Sequence, residues 1–460
     1  MSGAASEALE ARIADWRRYL LARRTISARD VDELEDHLRE RIADLRQRGL
    51  DDDEAFLIGI RRMGDADALS GEYAREHSDR LWKQLLVAPA SEPAAASGWR
   101  DAAVAIAVGA AAGLAFKLAL TLFGFASDDV PSEGAAGALM RTLTLYVAPF
   151  LVGYLSWKRR LSWAWIAGLG AGLALLAALV AIPPFSPFGQ TSVLAALHGP
   201  VVAWGLVGVA YTGGRVRSSD RRMDFVRFTG EFVVYYVLMA LGGGVLLGLT
   251  YAVFAMVGVD PSPVVIDWIL PVGIPGAVLV AAWLVETKQA VVENIAPVLT
   301  RIFTPLTLIM LVALLAVVST AGTLLTVDRE LLILMDAILV LVVCLALYEI
   351  SARDALDRPG WFDGLQLATV LAALAVDAIM LAAMLARIAE FGFSANKTAA
   401  LGLNLLLLAH LAGHVWLTAR AFRARRGLAR IVRWHTAFVP LYAVWGLVVV
   451  AVFPALFAFA

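Results

Sequence analysis

The chain has 460 residues, of which 60% are hydrophobic and 17% charged, and it carries a formal net charge of −1. That composition and a mean hydropathy of +0.73 exclude a protein that is soluble and globular along its whole length. The lone Cys344 excludes an intrachain disulfide or a redox pair within one chain.

Charge is concentrated at the start. Residues 1–86 hold 15 Lys or Arg and 19 Asp or Glu, against 39 and 40 in the whole chain. This segment has a charge of −4, which argues against direct nucleic-acid binding, since phosphate contacts need a basic surface. Its opening, MSGAASEALEARIADWRR, mixes acids and bases with no apolar run before a small-residue cleavage site. It does not read as a signal peptide, and the first domain is expected in the cytoplasm.

Leu9, Ile13, Trp16 and Leu20 recur at helical spacing, as do Val31, Leu34, Leu38, Ile42 and Leu45 after Ser27, an N-cap residue. Gly49 ends the second helix, and Asp51 caps a third carrying Phe56, Ile60 and Met63. Gly64 and Asp65 then stop that helix and start a fourth through Leu69 and Tyr73. The pattern predicts a small cytosolic helical bundle over residues 1–86, a length that buries only a marginal core by itself.

Within it, EDHLRERIADLRQRGLDDDEAFLIGIRRMGDADALSGEYAREH resembles the bacterial permease prefix domain, over roughly residues 8–80. An acidic helix, a Gly-Leu turn followed by acids, and a Met before Gly-Asp come in that family's order. Such prefixes stand ahead of transporter permeases and of polytopic proteins near PadR-type transcriptional regulators. The resemblance implies a protein-docking role, with a PadR-type regulator or a transporter ATPase as the cytosolic partner. The competing reading is a solubilising helical cap with no ligand.

A linker rich in Pro, Ala and Ser covers residues 87–100. A polytopic transmembrane domain is predicted over residues 101–460. Its apolar stretches fall near 101–125, 141–157, 161–183, 193–211, 229–257, 264–285, 304–326, 331–350, 365–386, 398–419 and 435–457, about eleven helices long enough to cross a bilayer. The fold class is therefore all-α. Alternate connectors hold 18 Lys or Arg, in WKRR, Arg215 to Arg227, Thr287 to Arg301, Ser351 to Gly364 and Arg420 to Arg433. The others hold three, Arg329, Arg387 and Lys397, with Arg141 at a span edge and the acidic run ASDDVPSEG. The positive-inside rule then predicts a bacterial cytoplasmic-membrane protein with its N-terminus inside and its C-terminus outside.

Gly109 with Gly113, Gly168 with Gly172, and Gly244 with Gly248 have the spacing of close helix packing. The same reasoning covers the GLGAG run, which lies in an apolar span rather than after a strand and so is no nucleotide fingerprint. In the sixth span, Pro271 and Pro275 are expected to break the helix at mid-membrane. Further on, IAPVLTRIFTPLTLIMLVALL and RIAEFGFSANKTAALGLNLLLL resemble a bacterial multi-pass family, domain of unknown function 4153, over roughly residues 290–420. That resemblance implies no activity.

Ionisable residues at membrane depth are costly and are therefore functional candidates. Lys117, Asp336 and Asp377 fall at similar depth, roughly 8 to 14 Å below the outer edge at the helical rise. They are expected to meet as a structural clamp or as a proton or cation relay. His410 and His414, four apart on one helix face, form either hydrogen-bonded packing contacts or part of a metal site. The zincin pattern is missing, because Leu411 stands where its Glu would be. There is also no Gly-x-Ser-x-Gly elbow, phosphate loop or Cys-x-x-Cys, so no enzyme activity and no cofactor are expected. Arg420, Arg423, Arg425, Arg426, Arg430 and Arg433 are candidate contacts for lipid headgroups. The segment from Val291 to Ile302 has the spacing of an interfacial helix. Two functions follow: a membrane sensor or regulator acting through the N-terminal domain, or a permease-like transporter of a small solute or ion.

Overall fold

The computed structural model describes residues 9–10, 13–14, 35–36, 38–40, 42–43, 45, 51, 55–56, 95–125, 130–287, 295–320, 329–353, 359–424 and 427–459. The chain divides into two units, Met1–Ala95 and Ala96–Ala460. In the first, Leu9, Ile13, Leu38, Ile42, Leu45, Ala55 and Phe56 are buried in one cluster. Two runs at helical spacing thus share a core, and Arg39 ties them by pairing with Glu10 at 2.8 Å and with Glu35. Trp16, Leu20, Ser27, Val31, Leu34, Gly49, Ile60, Met63 and the expected fourth helix lie outside the described residues, as does most of the linker.

Among the described residues the second unit contains eleven helices long and apolar enough to cross a membrane and no strand. In chain order its elements are α1 (Ala95–Leu122), α2 (Glu133–Thr142), a 3₁₀ turn (Leu143–Tyr146), α3 (Ala148–Lys158), α4 (Trp163–Ala181), α5 (Gln190–Tyr211) and α6 (Ser219–Val257). A short turn (Ser262–Val264) and a π-helical turn (Val265–Ile269) lead into α7 (Leu270–Thr287). The chain continues with α8 (Ile295–Thr320), α9 (Arg329–Ser351), α10 (Trp361–Phe391), α11 (Ala395–Ala424), α12 (Ala429–Ala451) and α13 (Phe453–Leu456).

Two spans depart from expectation. The second starts at Glu133 and runs to Lys158, because Ser132 caps it by accepting from the Ala135 amide. Arg141, in the last turn of α2, consequently lies inside the span and not at its edge. The sixth is not broken at mid-membrane: α7 continues through Pro275, and the irregularity is the π turn before Pro271. The wider π bond from the Leu270 amide to the Val265 carbonyl precedes a residue that has no amide to give, so the missing donor falls where the winding already changes. Residues 291–294 of the expected interfacial segment, and 126–129 of the acidic connector, lie outside the described residues.

Among the described residues the membrane unit has two large apolar cores, and smaller clusters join their helices, as where Met223 and Val226 of α6 pack with Ile350 of α9, Leu417 of α11 and Ile431 of α12. One large core gathers residues of α1 and α3 to α7, with Val450 of α12, and includes Tyr211 against Phe228 at 4.5 Å between ring centroids. The other gathers α8 to α11 around Met335, Leu339, Val376 and Met380. Glycines let α1 and α7 touch: a Cβ at Gly109 would lie 3.0 Å from the Gly276 carbonyl oxygen, and one at Gly113 would lie 2.5 Å from that of Val272. Gly172 faces Leu206, whereas Gly168, Gly244 and Gly248 face open space.

Candidate functional site

At one end of the bundle, charged side chains knit helix termini together. Lys158 pairs with Asp101, and Arg159 with Glu286 at 2.7 Å. Arg227 donates from Nε to the Ser351 carbonyl at 3.0 Å. Arg353 bridges Asp363 at 2.5 Å and Glu349 at 3.3 Å, while the other Asp363 oxygen accepts from the Gly360 amide and caps α10. Burial works against the Arg353 charge, but its bonds to Asp363 and Glu349 outweigh that and hold its pKa above the ordinary arginine value. We call this the arginine-rich end. Arg420, Arg423, Arg430 and Arg433 are exposed there, Arg420 lying over Trp416 at 5.6 Å. Arg425 and Arg426 lie outside the described residues.

Deeper in the second core lies a group of carboxyls. Asp377 on α10 is 0% exposed, and neither of its oxygens has a hydrogen-bond partner. It lies within electrostatic range of Asp336 on α9, one of whose oxygens is also unpartnered. The fully buried Asn404 of α11 lies beside Asp336, yet neither end of its amide reaches hydrogen-bond geometry. Lys117 is not in this group: its ammonium sits over the Trp268 ring, 5.0 Å from the centroid, at the π turn. The expected clamp of one Lys and two Asp is therefore not formed. Similar depth brought Asp336 and Asp377 together, but depth alone does not fix which side of the bundle a helix occupies.

Between the carboxyls and the arginine-rich end runs a row of imidazoles. His410 and His414, 0% and 3% exposed, do not converge on a shared point; both turn to His435 of α12. The His410 Nε2 to His435 Nδ1 distance is 2.8 Å, and His435 Nε2 to His414 Nδ1 is 2.8 Å. The row extends to the Tyr442 hydroxyl, 2.9 Å from His410 Nδ1, and to the Thr418 hydroxyl, 3.5 Å from His414 Nε2. All six ring nitrogens are thus engaged. Phe438 stacks on His410 at 4.4 Å.

Local sequence explains this contact between α11 and α12. Gly413 has no side chain, and the Trp434 indole fills that space, where a Cβ would collide with its ring. The indole N–H then donates to the His410 carbonyl at 3.0 Å, placing His435, the next residue, between the two histidines. Gly402 receives Trp445 in the same way nearer the other end. Among the described residues, no group of three or more His, Cys, Asp or Glu is arranged to hold a metal ion, which agrees with rings that face each other pairwise.

Sequence reasoning overlooked His435, Asn404 and Tyr442, and named Arg141 only as a residue at a span edge. His435 stands at the expected start of its span, but α12 begins at Ala429 and carries the ring inside. Arg141, 7% exposed, donates to the Val180 carbonyl at 3.1 Å and to the Ser192 hydroxyl at 2.8 Å, and lies over Phe185 at 4.4 Å. The chain matches no family model, no curated protein and no solved structure.

Proposed function

We propose that the protein is a permease-like transporter of a small solute or ion whose movement is coupled to protons at Asp377 and Asp336. The observation that carries this reading is Asp377, fully buried with two unpartnered oxygens and a second carboxyl in range. An isolated carboxylate in such surroundings costs several kcal/mol or more, so the group holds a proton or a cation. Unlike a clamp, a site without a fixed counter-ion can exchange what it holds. The charge asymmetry of the connectors supports a bacterial inner-membrane setting with the N-terminus inside and the C-terminus outside, and the exposed arginines support headgroup contact.

The test is uptake by energised inverted vesicles, with Na⁺, K⁺ and a panel of labelled amino acids as probes, reading proton release with a pH-sensitive dye. Asp377→Asn is expected to abolish coupled uptake of whichever probe moves. Uptake that Asp377→Asn leaves unchanged, or a panel in which nothing moves, overturns the reading.

A second reading is favoured by the buried cluster of the first unit: the membrane domain senses a ligand or the state of the envelope, and the permease-prefix-like domain passes this to a PadR-type regulator or a transporter ATPase. Crosslinking from native membranes, with and without residues 1–86, tests it. Recovery of such a partner only with the intact chain supports it, and recovery of nothing dependent on that segment removes it.

A further inference from the structure

The transport reading uses the carboxyls and leaves the row of imidazoles without a role. We propose that Thr418, His414, His435, His410 and Tyr442 form a single-file proton relay, with His435 as the obligatory middle carrier between the arginine-rich end and the depth of the carboxyl pair. The inference rests on the transport reading for what uses the proton, and on ring geometry for the relay itself.

A neutral imidazole has one N–H donor and one bare acceptor nitrogen, so three rings linked end to end share one polarity. Take the state in which Thr418 donates to His414 Nε2, His414 Nδ1–H to His435 Nε2, His435 Nδ1–H to His410 Nε2, and His410 Nδ1–H to the Tyr442 oxygen. A proton arriving at the Thr418 oxygen releases the hydroxyl proton to His414 Nε2. Each ring then gains a proton on one nitrogen and gives up the one on its other nitrogen. Tyr442 receives the last and passes its own hydroxyl proton outward. One proton enters, one leaves, every ring ends neutral, and the polarity is reversed. The observed distances, three of 2.8 to 2.9 Å and one of 3.5 Å, set this order.

The row also has the right direction. His414 and His410 are one helical turn apart, about 6 Å, and Tyr442 lies seven residues beyond His435 on a helix of opposite sense, about 10 Å further. Asn404, beside Asp336, is about 9 Å beyond His410 on α11. The neighbouring helices supply few other proton carriers. From α10, Asp363 is close enough for its charge to act on His414, though its two oxygens are engaged by Arg353 and the Gly360 amide. From α9, Cys344 lies near Tyr442. On α5, His198 bonds its own helix at the Leu194 carbonyl, and from α6 the Ser219 hydroxyl bonds Thr436.

His435→Gln separates a relay from a packing contact. A glutamine amide can donate to one neighbour and accept from the other, so it preserves the link between the helices, but it cannot take a proton on one atom and release another in turn. The assay is passive proton flux in proteoliposomes of the full chain, driven by a potassium diffusion potential and read by a trapped pH dye. The intact protein is expected to conduct, and His435→Gln to conduct about a hundred-fold less with an unchanged melting temperature. His435→Phe, which keeps ring volume, is the second variant should the glutamine protein fail to fold.

Flux retained in a folded His435 variant overturns the relay, as does an intact protein that does not conduct. The vesicle uptake of Na⁺, K⁺ or amino acids is judged separately. Loss of uptake in Asp377→Asn beside unaffected flux in His435→Gln leaves the transport reading standing and removes the relay. The reverse result does the opposite.

Discussion

Two regions of the membrane unit treat buried polar groups differently. Where α2, α4 and α5 meet, the buried cation Arg141 is held by a helix-terminal carbonyl, a hydroxyl and an aromatic face. Where α9 to α12 meet, Asp377 is buried with no partner for either oxygen, and three histidines are hydrogen-bonded to one another and to two hydroxyls. A satisfied polar group stabilises a fold, whereas an unsatisfied one spends stability and marks a place where something else is held. The contrast separates a closed polar contact at Arg141 from an open one at Asp377.

The sharpest way to break that contrast is at Arg141. Arg141→Ala orphans the Val180 carbonyl and the Ser192 hydroxyl, and is expected to cost about 2–4 kcal/mol, read as a lower melting temperature in detergent. A loss below about 1 kcal/mol would show that the packing of α2 on α4 and α5 does not depend on the contact. Asp377→Leu should move the other way. Removing an unpartnered buried carboxyl stabilises by about 1–3 kcal/mol while uptake is lost, and a destabilised Leu variant would mean the carboxyl is satisfied after all. Smaller again is Gly413→Ala, which sets a methyl against the Trp434 ring and should cost about 1–2 kcal/mol. Because Trp434 and His435 are adjacent, the same change should also cut proton flux.

Much of this was legible in the sequence, and the parts that were not share a cause. Span length and alternating connector charge located eleven helices because hydropathy is a property of single segments. Asp336, Asp377, His410 and His414 stood out for the same reason, as polar residues inside apolar runs. Partnership is a property of pairs of helices, and it was legible only where spacing on one helix sufficed, as for Gly109 and Gly113. Lys117 matched the aspartates in depth yet belongs to the other core, where it meets Trp268. His435 is the first residue of the expected span 435–457 whereas α12 begins at Ala429, and that boundary error of less than two turns hid the middle of the histidine row.

The smallest expected effect tests a second glycine pair of identical spacing. Gly109 and Gly113 are pressed against backbone of α7, but nothing lies within 4 Å of where a Cβ would stand at Gly244 or Gly248. This stretch of α6 exposes Leu241, Val245, Leu246 and Leu249, an apolar surface suited to lipid. With no neighbour to displace, Gly248→Ala gains helix propensity and should stabilise by up to about 1 kcal/mol, with the particle size by gel filtration unchanged. A loss of stability together with a smaller particle would mean that a second copy packs on this face. The same spacing would then serve within one chain at α1 and between chains at α6. An unchanged particle leaves the spacing at α6 as a property of the sequence with no packing partner.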